Sequence, residues 1–320
     1  MLKDLKVVFM GTPDFCVPIL ESLIENCNVI GVVTQPDKEV GRKKEIKFSP
    51  IKEVAIKHSI KVFQPIKIRK EYDDILNLKP DIIITCAYGQ IIPKEILDYP
   101  RLGCINVHAS LLPKLRGGAP IHHAIIDGYD ETGITIMYMD EGMDSGDIIE
   151  QSKTIIEDSD TVGTLHDRLS IMGKDLLLET LPSIVNKTNK RIKQDENEVT
   201  FGFNIKREEE LINFNKTRRE VFNQIRGLNP FPGSYFILNE KIVKVYKVEE
   251  IDDNKYLNKE NGEIVKLDKE SFYIKVKDGL IRVLEIKLEG KKKMNVLDYL
   301  NGSKDKLIGE IISKGVKYEE

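Results

Sequence analysis

The run CINVHASLLPKLRGG, residues 104–118, sets Asn106 and His108 two positions apart at the end of an apolar stretch. In a strand, such residues share a face, so an amide donor and an imidazole would converge on one spot near the strand's carboxyl end. That pair suits stabilisation of a developing oxyanion in acyl transfer, where preorganised donors outperform water. For an isolated Asn-x-His a plainer reading also stands: Asn106 caps a turn and His108 is a satisfied, half-buried residue. The continuation SLLPKLRGGAP gives a loop with a fixed Pro113 and flexible Gly117 and Gly118, whose backbone is free to meet a planar ligand. No Gly-Lys-Ser/Thr follows, so it is not a phosphate-binding P-loop. Arg116 either clamps a substrate or lies solvated on the loop.

A second candidate is YMDEGMDSGDII, residues 138–149, with Asp140, Asp144 and Asp147. The spacing fails the EF-hand pattern, and no metal is expected. Asp144, between Gly142 and Gly146, is the most reachable partner for His108; a carboxylate there favours the imidazolium form and can relay a proton. FMGTPDF supplies one glycine after the first apolar run instead of GxGxxG, which argues against a nicotinamide-binding site. His122 and His123 are adjacent on an expected helix and face different directions, so they do not form a joint metal site. Residues 35–50 carry Lys38, Arg42, Lys43, Lys44 and Lys47 around Gly41, and a second basic cluster is Lys291, Lys292 and Lys293. Each reads as an ordinary solvated face or as a set of phosphate contacts.

These groups need a frame. At 320 residues the chain exceeds what one core usually serves, which predicts two domains. The first two-thirds alternate β-rich runs (LKVVFM, VIGVVT, DIIITCA, CINVH, GITIMYM) with helical patterns starting near Asp14, Ser49 and Pro120. This predicts an α/β domain with a doubly wound, mostly parallel sheet, whose ligands sit outside the carboxyl ends of the strands. Asp160 or Thr161 is positioned to cap a long helix through about Asn186. Residues 187–206 are polar and aperiodic, as a linker would be. After a helix near Thr217–Gly227, short strands separated by Gly, Asn and Asp turns predict a small barrel closed by a helix near Asn295–Gly302.

Composition narrows the class. The four cysteines lack CxxC spacing and lie in apolar settings, predicting reduced core thiols. The N-terminus is too charged for a signal peptide and no run approaches a membrane span, so a cytoplasmic protein with no membrane partner is expected. A net charge of −3 does not by itself predict nucleic-acid binding.

Taken together, FMGTPDF, VTQPDK with GRKK, AYGQIIP, RLGCINVHASLLPKLRGGAPI, ETGITIMYMDEGMDSGDII and IRGLNPFPGSY resemble the methionyl-tRNA formyltransferase family, within the wider formyltransferases that use 10-formyltetrahydrofolate. The resemblance runs over nearly the whole chain. It implies a Rossmann-like catalytic domain over residues 1–189, a linker over 190–206 and a C-terminal OB-like, tRNA-binding barrel over 207–320. It implies a catalytic trio of Asn106, His108 and Asp144, and a folate site including Ser110, Leu111, Leu112 and Pro113. It also implies a basic loop that contacts the acceptor arm of methionyl-initiator tRNA through Arg42, Lys43 and Lys44. The formyl donor is 10-formyltetrahydrofolate, no metal is involved, and the protein is expected to be a monomer. A sugar-nucleotide N-formyltransferase would share the trio, and a tRNA-binding module with a vestigial first domain would share the size. The chain departs from many members at Phe201-Gly202 and at Ile212-Asn213-Phe214, and it contains no Trp.

Overall fold

The computed structural model describes residues 2–41, 44–302 and 307–312. Its contacts divide the chain into two units. One comprises Met1–Pro120, Glu131–Ile155 and His166–Phe203; the other comprises Ile121–Asp130, Ile156–Leu165 and Asn204–Glu320.

The strands of the first unit are β1 (Lys6–Gly11), β2 (Asn28–Val33), β3 (Lys38–Val40), β4 (Glu45–Lys47), β5 (Val62–Phe63), β6 (Ile82–Cys86), β7 (Cys104–His108), β8 (Glu131–Tyr138) and β9 (Ile148–Ile155). Seven of them form one sheet in the order β5-β2-β1-β6-β7-β8-β9. The pairs from β5 to β7 are parallel, whereas β7–β8 and β8–β9 are antiparallel. All of β6 is buried, as expected for a central parallel strand covered on both faces. The chain winds outward from β1 through β2 to β5 and then crosses to β6, so the direction switches between β1 and β6.

Helices α1 (Val17–Asn26), α2 (Pro50–Lys57), α3 (Asp73–Leu76), α4 (Lys94–Leu97), α5 (Pro120–Ile126) and α6 (Val162–Val185) follow. Helix α2 starts where the sequence signals it: the Ser49 side chain accepts from the Lys52 N–H and Pro50 occupies the first turn. Gly173 of α6 lies so close to β7 that a Cβ there would stand 3.1 Å from Val107. The helix therefore covers the Ile105/Val107 face of β7, and the alternate face carries Cys104, Asn106 and His108.

Several elements were not expected from the sequence, among them β5, α3 and α4, strand β9 and the β3–β4 hairpin. Strand β9 reads IIEQSKTI, with polar residues on an exposed face. The basic loop after β2 is carried on the β3–β4 hairpin, in which Lys38 pairs with Lys47. All four cysteines are free and buried. Burial pushes the Cys27 thiol up to about 11 and the Cys104 thiol up to about 12.

In the second unit, β10 (Tyr235–Leu238), β11 (Lys241–Ile251), β12 (Ile264–Leu267), β13 (Phe272–Val276), β14 (Gly279–Leu288) and β15 (Met294–Asn295) form an antiparallel sheet. It is the sheet of a small OB-like barrel domain. Phe236 meets Phe214 and Phe272 edge-on at 6.1 and 6.3 Å between ring centres, in the middle of the core. Helix α7 (Arg218–Gly227) adds Val221 and Ile225 to this core, and its start is fixed by a Thr217/Glu220 capping box. Helix α8 spans Val296–Gly302. Among the described residues no helix is long and apolar enough to cross a membrane.

Candidate functional site

Strand β7 presents the two residues singled out by spacing. Asn106 pairs in register with Thr85 of β6, and the Thr85 hydroxyl donates to Asn106 Oδ1 at 2.9 Å. The amide is thereby oriented with its Nδ2 toward Asp144 Oδ1, 3.5 Å away. His108 is 6% exposed. Its Nε2 lies 3.0 Å from the Leu115 carbonyl, and its Nδ1 lies 3.7 Å from Asp144 Oδ2. Because a carbonyl only accepts, Nε2 carries a hydrogen and Nδ1 is the nitrogen turned to the site.

Asp144 arrives by a route that the sequence did not suggest. Strand β8 runs antiparallel to β7, so the loop after it leaves the sheet beside Cys104, whose carbonyl accepts from the Met139 N–H at 2.9 Å. From that amino end of β7 the loop turns back over Asn106 and His108. Asp144 adopts φ +50°, in the left-handed region, and its Oδ2 accepts from the Gly117 N–H at 2.9 Å. Asn106 Nδ2, His108 Nδ1 and the Asp144 carboxylate thus surround one point on the face of β7. The cluster therefore lies above the strand as well as at its carboxyl end.

Asp140 and Asp147 do not join this cluster. Asp140 accepts from Gly142 and Ser145 within its own loop, and Asp147 pairs with Arg191 at 2.9 Å. Among the described residues, no group of three or more His, Cys, Asp or Glu is placed to hold a metal.

The Ser110–Pro113 segment lies directly after His108 and is largely satisfied by its own surroundings. Ser110 Oγ donates to the Lys114 carbonyl, Leu112 N–H donates to Thr135 Oγ1, and the Leu112 carbonyl accepts from Gln151. Leu112 is buried against Met137 and Ile148, leaving the half-buried Leu111 and Pro113 side chains as the parts open to a ligand. A cavity of about 370 Å³ opens beside the Asp144 loop, lined by Lys94, Leu97, Asp98 and Met139–Gly142. It adjoins Asn106 through Met139, whose sulfur touches the Thr85 hydroxyl at 3.1 Å. A second hollow, of about 470 Å³ around Ile212, Phe214 and Asn261, contains none of the expected site residues.

Arg42 and Lys43 lie outside the described residues. Lys44 is exposed and stands 3.6 Å from Glu39. In the second basic cluster, Lys293 is engaged by Glu285 at 3.0 Å. Arg116 matches neither sequence reading. It is 5% exposed and turned onto Gln194 and Glu196, 2.9 Å from each.

Sequence reasoning missed the supports of the site: Thr85, the Leu115 carbonyl, Gln194 and Thr200. Only the pairing of Thr85 with Asn106 was within reach, since it follows from the parallel register of two recognisable strands. The Phe201-Gly202 departure has a local account. Gly202 is buried, and a Cβ there would stand 3.1 Å from Pro120 Cα, while Phe201 and Phe203 stack on the surface with ring centres 5.2 Å apart.

Known proteins match the chain over most of its length. A formyl transferase family model matches residues 5–181, and a formyl transferase C-terminal domain model matches residues 204–304. A methionyl-tRNA formyltransferase of Staphylococcus aureus strain MW2 is 49% identical over 308 residues, covering 95% of this chain and 98% of that protein. Among solved structures, an N-formyltransferase from Helicobacter canadensis, in complex with folinic acid and dTDP-3-aminofucose, superposes with a TM-score of 0.66 at 23% identity over 91% of this chain and all of that one. HypX from Aquifex aeolicus superposes with a TM-score of 0.64 at 15% identity, over 99% of this chain and 52% of that one. At these identities the two structures speak for the fold alone.

Proposed function

The chain belongs to the methionyl-tRNA formyltransferase family, and from that premise we propose how its residues carry out the reaction. The enzyme transfers a formyl group from 10-formyltetrahydrofolate to the α-amine of methionyl-initiator tRNA, giving N-formylmethionyl-tRNA and tetrahydrofolate.

In this reading the amine attacks the formyl carbon, and the carbonyl oxygen becomes an oxyanion. Asn106 donates to it from Nδ2 and His108 from Nδ1. With Nε2–H held by Leu115, a hydrogen on Nδ1 makes the ring an imidazolium, which balances the new negative charge. Asp144 takes the proton released by the attacking amine, directly or through water, and passes it toward N10 of the folate as the C–N10 bond breaks. No covalent enzyme intermediate is needed. The observation that carries the reading is the meeting of Asn106 Nδ2 and His108 Nδ1 on the two oxygens of one carboxylate, at 3.5 and 3.7 Å. Both contacts are long, so the two donors are held in place before substrate arrives but are not committed to the carboxylate.

The folate lies along Leu111 and Pro113 of the Ser110–Pro113 segment, with the cavity beside Met139 available to its bulk. Residues 1–189 are the catalytic domain, 190–206 the linker and 207–320 the tRNA-binding domain. Arg42, Lys43 and Lys44 contact the acceptor-arm phosphates, with Lys291–Lys293 as a second grip. The enzyme works as a cytoplasmic monomer.

The deciding experiment offers methionyl-initiator tRNA, methionyl-elongator tRNA and an amino-sugar nucleotide separately with 10-formyltetrahydrofolate, across a salt series. Formylation of the initiator tRNA, weakening steeply with salt, is expected. Transfer to the amino sugar alone would assign the chain's substrate to the sugar branch, and tRNA binding without any transfer would reduce it to a binding module.

A further inference from the structure

Residues 182–203 fall between the stretches matched by the two family models, and much of this segment reads as a polar spacer. In the fold its second half bonds the backbone at Asp144 and at Leu115, the residue that holds His108. Gln194 Nε2 donates to the carbonyls of Asp144 at 2.7 Å and Gly146 at 2.9 Å. One amide thus clasps the Asp144 loop on both sides of Ser145. The other end of the same amide, Oε1, accepts from Arg116 Nε at 3.0 Å and Nη2 at 2.9 Å. Arg116 is in turn braced by Glu196, at 2.9 Å.

A few residues later the segment reaches the histidine side. Thr200 Oγ1 accepts from the Leu115 N–H at 2.9 Å, and the Thr200 carbonyl accepts from the Arg116 N–H at 2.9 Å. The Leu115 carbonyl is the group that holds His108 Nε2. Asp144 and Leu115 both have positive φ, +50° and +58°, a sparsely populated backbone state that neighbouring bonds can help to determine. Gln194 and Thr200 supply such bonds, one at each residue.

We propose that Gln194, locked by Arg116, and Thr200 are positioning residues for formyl transfer: together they set the separation of Asp144 from His108. The proposal rests on the reading of Asn106, His108 and Asp144 as the reacting groups. Gln194 suits the task because it donates at one end and accepts at the other. In Gln194→Glu the atoms facing the two carbonyls become acceptors, and Arg116→Lys loses the planar fork that meets Oε1.

The test uses the full chain, with kcat, the KM of each substrate, the pH profile of kcat and the melting temperature measured for Gln194→Glu, Arg116→Lys, Thr200→Val and Asp144→Asn. For the first three, kcat is expected to fall at least tenfold with an altered pH profile, while each KM stays within about threefold and the melting temperature within a few degrees. If Asp144→Asn abolishes turnover while Gln194→Glu and Thr200→Val both keep the wild-type kcat and profile, the positioning role is overturned and the catalytic reading stands. If Asp144→Asn itself turns over normally, the catalytic reading fails first. Should Gln194→Glu not fold, Thr200→Val decides alone: a stable protein with unchanged kcat overturns the proposal.

Discussion

His108 Nδ1 stands 3.7 Å from Asp144 Oδ2, beyond the range of a direct N–H···O bond, while its other nitrogen is already committed to the Leu115 carbonyl at 3.0 Å. The ring is therefore fixed as an Nε2–H donor with Nδ1 turned toward the carboxylate. Nitrogen-15 NMR of the ligand-free protein should show the neutral His108 ring as the Nε2–H tautomer. An Nδ1–H tautomer would contradict the hydrogen bond to Leu115 and, with it, the proposed use of Nδ1 as the donor to the oxyanion.

Asn106 and Thr85 make a graded pair. Loss of one oxyanion donor typically costs a hundredfold or more in turnover, so Asn106→Ala should lower kcat by about that factor and leave the substrate KM values and melting temperature nearly unchanged. Thr85→Val keeps the amide but removes the hydroxyl that orients it at 2.9 Å. A single neutral hydrogen bond is worth about 1 kcal/mol, and kcat should fall by five- to tenfold. Equal losses in the two variants would mean that Thr85 does more than aim Asn106.

The Asp144 loop contains two glycines with opposite tolerances. A Cβ at Gly146 would meet the Tyr138 carbonyl oxygen at 2.0 Å, backbone that cannot move without opening the β8–β9 turn. A Cβ at Gly142 would meet the Ser145 hydroxyl at 2.1 Å, the end of a side chain that can rotate away. Gly146→Ala should therefore cost about 1–3 kcal/mol of stability and most of the activity. Gly142→Ala should lose far less of both, as thermal melting and steady-state rates would show.

How far the site was legible depended on sequence distance. The parallel strands announced themselves as continuous apolar runs, and the i, i+2 spacing of Asn106 and His108 alone put both on one face of β7. The Gly-flanked Asp144 was identifiable as a reachable carboxylate, but not the end of the sheet from which it would come, because that depends on β8 running antiparallel. Strand β9 escaped notice because its IIEQSKTI pattern is apolar only at its start and exposed beyond it. Gln194 lies 50 residues from Asp144 and 78 from Arg116. Nothing local in a polar stretch tells a glutamine that clasps two carbonyls from one that faces solvent. The Phe201 and Phe203 pair had no reading at all in the sequence, since stacking there follows from the bridge that aligns Phe201 with Arg116.

The barrel offers a pH test independent of catalysis. Partial desolvation alone would raise the Asp268 carboxyl, but hydrogen bonds from the Tyr273 hydroxyl and from the backbone of Glu270 and Ser271 outweigh it and hold the group at about 2, below its usual 3.8. Tyr273 donates to one oxygen at 2.7 Å, and the two backbone N–H groups donate to the other at 2.8 and 2.7 Å. A carboxyl whose folded pKa is depressed stabilises the fold fully above its unfolded pKa and loses that contribution as pH falls through the folded value. The relevant window is therefore pH 4 down to about pH 2. Asp268→Asn should destabilise the protein by about 1 kcal/mol near pH 6, once solvent screening of this partly exposed group is allowed for. Denaturant titrations followed by circular dichroism and tyrosine fluorescence, in a chain that has no Trp to interfere, should show the gap between wild type and D268N closing across that window. A gap that stays constant from pH 6 to pH 2 would show that the carboxylate's charge contributes nothing, and that only the shape of the Asp268 turn matters.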